Sequence, residues 1–176
     1  MVATVQIHEN NGPTATPTNT DKTAGTVRFK NADNATVDTA DRLIVPTANR
    51  EYSYEKWLQL RVTVAPDVDI DNLRAYSDGA KGWQAGVKGW FALDGTYSVP
   101  VVPAETLDPP QHDVVAMTDY FTLTSGAPAN MDAINAGPFA GTGAIGDFLV
   151  LVMEVEIAST QGAQAGEPNT WAFDET

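Results

Sequence analysis

The segment SYEKWLQLRVTVAP, residues 53–66, decides the fold. Leu58, Leu60, Val62 and Val64 alternate with Trp57, Gln59, Arg61 and Thr63. A period of two is that of a strand with one face turned to a core. Burying four aliphatic side chains contributes roughly 1.5–3 kcal/mol each before chain entropy is counted. On the opposite face the pattern puts Trp57, Arg61 and Thr63 outward, toward water or a second surface.

A second long segment, DFLVLVMEVEIA at 147–158, completes the frame. Its first half is apolar at every position, which predicts a central strand covered on both faces. Its second half alternates, with Val155 and Ile157 inward and Glu154 and Glu156 outward. Shorter strands are predicted at 2–7, 26–29, 41–46, 72–76, 88–93, 97–102, 114–124 and 170–173. Asp94-Gly95 between two of these is a hairpin signal. Residues 10–25 (NNGPTATPTNTDKTAG) are too polar to form a core and read as a loop or arm. Residues 103–113 (PAETLDPPQHD) read as a proline-rich connection. Nine or ten short strands, regular turns and no helix of normal length indicate one all-β domain over residues 1–176: an antiparallel β-sandwich of jelly-roll type.

Composition narrows the function classes. The chain has 176 residues, with 23 acidic and 10 basic side chains and a formal net charge of −13. Such a chain lacks the basic footprint of a nucleic-acid binder and is repelled by an anionic membrane surface. There is no cysteine, so disulfides, thiolate catalysis and zinc–thiolate sites are excluded. No basic segment followed by an apolar one opens the chain, so export by the standard route is not expected. The longest apolar run, residues 148–153, falls far short of a bilayer span.

Few constellations carry chemistry. Asp67, Asp69 and Asp71 alternate like the start of a calcium loop. An EF-hand needs Gly and Glu where this chain has Asn72 and Asp78, so the stretch reads as a solvated acidic turn that leaves three cation candidates and no assigned metal. His8 and His112 are the two histidines, and His112, beside Asp113, reads as an exposed loop residue. No nucleophile stands near either. Glu154 and Glu156 read as a solvated pair that discourages edge pairing. No catalytic residue and no cofactor is expected. Four tryptophans, at 57, 83, 90 and 171, could serve core packing, a protein interface or a sugar-stacking face; the alternation favours Trp57 as the outward one.

The order of these features is itself informative. MVATVQIHE runs into a Thr/Asn/Gly-rich loop; EYSYEKWLQLRVTV, SDG and a Gly/Trp-rich stretch follow, and the last strand ends in NTWAFDET. This resembles the small all-β virion structural proteins of tailed bacteriophages, most closely head decoration or cement proteins, and also neck and minor tail sandwiches. The resemblance implies a non-enzymatic protein made in host cytoplasm. It would sit on the outer capsid surface, bind across neighbouring major capsid subunits and form a homo-oligomer such as a trimer. No site residue transfers by position. The interface candidates are Val2, Val5 and Ile7 of the N-terminal segment, with Trp57 and Arg61. Other roles with the same fold are a neck, tail or fibre protein, and a carbohydrate-binding module.

Overall fold

The computed structural model describes residues 2–176. Twelve strands follow in order: β1 (Thr4–Asn11), β2 (Thr18–Asp21), β3 (Arg50–Tyr52), β4 (Lys56–Val64), β5 (Ile70–Tyr76), β6 (Val87–Asp94), β7 (Gln111–His112), β8 (Val115–Ala116), β9 (Thr118–Asp119), β10 (Ala129–Asn130), β11 (Gly143–Glu156) and β12 (Thr170–Glu175). A single 3-10 turn, Tyr120–Thr122, interrupts them. A seven-stranded antiparallel sheet runs β2-β1-β4-β11-β6-β9, with β3 also paired to β11. A three-stranded sheet runs β10-β5-β12, and β7-β8 form a separate hairpin. The all-β sandwich is established; its sheets of seven and three strands do not establish a jelly-roll connectivity.

The 57–64 alternation holds at Leu58, Leu60 and Val62, while Val64, expected inward, is exposed at the strand's end. Leu58, Leu60 and Val62 are buried against Ile70, Leu73 and Ala75 of β5 and Leu149 and Leu151 of β11. This is the core between the two sheets. β11 lies between β4 and β6, and its alternate residues Phe148, Val150 and Val152 enter a second core with Tyr52, Tyr97 and Met117. The apolar run of β11 is therefore covered on both faces, as its composition predicts.

Trp57 departs from expectation. It is fully buried in the second core, because the chain from residue 95 to 117 folds over the face that Gln59 and Arg61 made look solvated. Only the far end of that face, at Arg61 and Thr63, stays exposed. The predicted hairpin at Asp94-Gly95 is absent for a related reason. Pro100 and Pro103 lack the N–H a ladder needs, so residues 97–102 leave the sheet and cover it. The predicted strands at 26–29 and 41–46 run without a ladder. The 114–124 segment breaks into β8, β9 and the 3-10 turn. The polar stretch 10–25 folds back on its own chain, with β2 paired to β1 from His8↔Asp21 to Asn11↔Thr18.

One glycine matters to the frame. Gly146 sits at a bulge in β11 with φ +69°. A Cβ there would collide with the Met131 carbonyl oxygen and a Leu73 methyl. The next residue, Asp147, is buried and accepts hydrogen bonds from the Ile134 and Asn135 amides at 2.9 and 2.7 Å. The bulge thus turns a carboxylate inward to fasten the 131–135 loop.

Candidate functional site

The strand that begins at Arg50 lies along β11 twice, first as β3 and then as β4. Between them, residues 53–55 leave the ladder, and Glu55 turns into the second core. Its carboxylate is buried and fully used. Oε1 lies 2.8 Å from His112 Nδ1. Oε2 accepts the Trp57 indole N–H at 3.1 Å and the Val101 amide at 3.3 Å. The Trp57 ring meets the His112 ring edge-on, with centroids 5.1 Å apart.

His112 is buried, not exposed. It ends β7, and the turn that follows, Asp113-Val114, has φ +45° and +64°. Positive φ at both central residues is the two-residue hairpin geometry usually built from Asn-Gly or Asp-Gly. His112 Nε2 points away from Glu55 toward two more carboxylates: Asp94 Oδ2, at the end of β6, is 3.1 Å away, and Asp113 Oδ2 is 3.9 Å away. Burial on its own pulls the His112 pKa down. The hydrogen bond and charge of Glu55, with Asp94 and Asp113 behind them, outweigh it, so the pKa is raised. Among the described residues, Asp94, His112 and Asp113 bring their ligand atoms within 4.8 Å of one another. Asp67, Asp69 and Asp71 are not drawn together in this way. Asp69 instead accepts from the Thr176 hydroxyl at 2.5 Å, and Asp71 pairs with Asp174 across β5 and β12.

Two further clusters of buried charge act as fasteners. Glu9 on β1 is enclosed with Lys56 at 3.2 Å and Lys22 at 3.5 Å. Both ammonium groups reach past it to backbone carbonyls of the irregular 26–36 segment: Lys56 donates to Asn34 O at 2.8 Å and Lys22 to Ala35 O at 2.6 Å. Burial lowers the Lys56 pKa, and Glu9 opposes that shift. On β11, Glu154 is buried rather than solvated. It accepts from the Trp90 indole at 2.7 Å and meets Arg50 at 3.2 Å and Lys88 at 3.4 Å. Arg50 continues to Asp108 at 2.8 Å. The isolated look of Glu154 and Glu156 in sequence hid cations 104 and 66 positions from Glu154, which only strand pairing brings near.

A cavity of about 660 Å³ opens between the large sheet and the loops at 26–29, 42–45 and 160–169. Trp83, Tyr120 and Trp171 line it with the guanidinium-bearing Arg28 and Arg42. Of the other sequence-derived candidates, Val2 is 80% exposed, Val5 and Ile7 are half-buried against the main core, and Arg61 is exposed. These do not converge with Trp57, which lies inside the second core. No known protein family, curated protein or solved structure matches the chain.

Proposed function

We propose that the protein is a non-enzymatic virion structural protein of a tailed bacteriophage, a decoration or cement subunit that binds across neighbouring capsid subunits and stabilises the head. One observation carries most of the weight: three exposed valines carried on segments that meet at one end of the sandwich. Val2, Val64 and Val68 are exposed there, Val2 and Val68 at 80% and 62%. The ladder sets Thr4 opposite Val64. The Ala3 amide donates to Glu175 Oε1 at 2.8 Å, and Thr176 N donates to Asp69 O at 3.1 Å. The ends of β1, β4 and β12 and the start of β5 thus meet at one place and span both sheets. Exposed aliphatic side chains gathered within a strongly acidic surface suit a docking site. The buried acids and bases support the same reading, since Glu9, Glu55 and Glu154 are committed to holding loops down. Oligomerisation as a trimer or otherwise would multiply weak contacts by avidity.

The test has two parts. Immunogold against the purified protein should label particle heads densely. Purified protein should co-sediment with particles lacking it, and Val68→Asp should reduce occupancy at least severalfold with an unchanged near-ultraviolet spectrum. Gold confined to necks, tails or fibres would keep the virion role and move its place. No label on any particle would remove the virion reading and favour a glycan-binding module, whose support is the cavity walled by Trp83, Tyr120 and Trp171, where sugar rings could stack.

A further inference from the structure

The charge around His112 does not balance. Glu55, Asp94 and Asp113 supply three carboxylates to one imidazole, which carries at most one positive charge. Among the described residues, no lysine or arginine makes an ion pair with any of the three; their ion-pair partner is His112 itself. This contrasts with the other buried acids of the same chain, since Glu9 has two lysines and Glu154 has Arg50 and Lys88.

The geometry says what would balance it. With Glu55 taking the Nδ1 proton at 2.8 Å, a cation between Asp94 and Asp113 would replace the Nε2 proton that now meets Asp94 and would bind the Nε2 lone pair. A buried carboxylate behind a histidine is the arrangement that orients metal-bound imidazoles. A hydrogen bond from Nε2 would account for Asp94 at 3.1 Å but not for Asp113, too distant at 3.9 Å. Two ligands bound about 2.0–2.2 Å from one tetrahedral ion sit roughly 3.3–3.6 Å apart. The two observed separations bracket that spacing. Asp113 is 72% exposed and Asp94 22%, so further positions on an ion would open to water.

We infer that Asp94, His112 and Asp113 form a site for one divalent transition-metal ion, with Glu55 orienting the imidazole behind it. An imidazole with two carboxylates and no thiolate suits Zn²⁺ or Mn²⁺ over Ca²⁺ and Mg²⁺, which prefer all-oxygen shells. The ion would tie the tip of the β7–β8 hairpin to the end of β6. This inference does not depend on the virion reading.

The experiment uses the full chain, stripped of metal and titrated with Zn²⁺ or Mn²⁺ in a background of millimolar Mg²⁺. Calorimetry and native mass spectrometry should find one ion per chain. Asp113→Asn, a change at an exposed carboxylate, should weaken binding at least tenfold, and Asp94→Asn likewise. His8→Ala should leave binding unchanged. If Asp94→Asn fails to fold, the unmutated protein still decides the matter: substoichiometric Mn²⁺ should broaden the imidazole resonances of His112 before those of His8. No stoichiometric uptake, uptake indifferent to Asp113→Asn, or broadening that begins at His8 would each overturn the site.

Discussion

The two faces of the large sheet are covered in different ways. One face meets the three-stranded sheet, and Leu58, Leu60, Leu73, Leu149 and Leu151 interlock in a broad apolar contact. The other face meets the connection 95–117, which forms almost no ladder with the sheet. That connection has an apolar inner side at Tyr97, Val102 and Met117. It is kept in place by named polar anchors: Tyr52 OH on Leu107 O at 2.6 Å, Arg50 on Asp108 at 2.8 Å, Glu55 on the Val101 amide, and His112 between Glu55 and Asp94. A sheet cover spreads its stabilisation over many small contacts, and no single one is decisive. An irregular cover has unpaired backbone groups to satisfy, so it concentrates its attachment in a few buried side chains. The second kind is the more fragile to single substitutions and the better placed to hold a local site.

The most damaging substitution in that comparison is Glu55→Ala. It strands the Trp57 indole, the Val101 amide and His112 Nδ1 without their acceptor. Breaking one side of a buried charged cluster costs about 3–5 kcal/mol. Urea unfolding should show a loss in that range. A loss below about 1 kcal/mol would mean that the connection is held by its apolar side alone.

A smaller effect is expected at Tyr52→Phe. Burial raises the phenol pKa to about 12, so at neutral pH the hydroxyl is a donor, and it donates to Leu107 O. Removing it leaves ring packing intact and costs about 1–2 kcal/mol: the bond to Leu107 O and the longer one accepted from Arg50 are lost, and Arg50 alone still reaches that carbonyl, at 3.5 Å. The local consequence is sharper than the global one: limited proteolysis should cut faster within 103–110 and no faster within β5 or β12. Equal acceleration in both places would erase the distinction between the two covers.

The asymmetry also sets how much the sequence reveals. The inter-sheet core is legible because strand periodicity is local: Leu58, Leu60 and Val62 within the alternation, and the apolar run of 148–153, each report their own burial. The anchored cover is not. Its contacts join Glu55 to His112, Tyr52 to Leu107 and Arg50 to Asp108, and nothing local to either partner marks the pair. Trp57 looked outward because Gln59 and Arg61 beside it are polar, yet the cover reaches past Trp57 and stops before Arg61. His112 looked exposed because prolines and polar residues surround it, although those prolines are what keep 97–110 out of a ladder and free to lie across the sheet. The one available hint was the pair Glu55-Lys56 at the head of a strand about to be buried, where charge has to find a partner.

The mildest test of the comparison raises stability instead of lowering it. Val114 is a β-branched residue at φ +64° and 88% exposed. A β-branched side chain in that region is a genuine outlier, and such strain costs on the order of 1–3 kcal/mol where surrounding structure enforces it. Here the enforcing structure is His112 on one side of the turn and the His112↔Val115 pairing across it. Glycine at 114 would remove the strain and give back roughly 0.5–1 kcal/mol as backbone entropy. Val114→Gly should therefore raise the urea midpoint slightly, by about 1 kcal/mol of stability, with no change in m-value. Because the side chain buries almost nothing, a loss of stability would show that the turn is not held in this conformation by its anchors, and that the hairpin tip is positioned by some other contact.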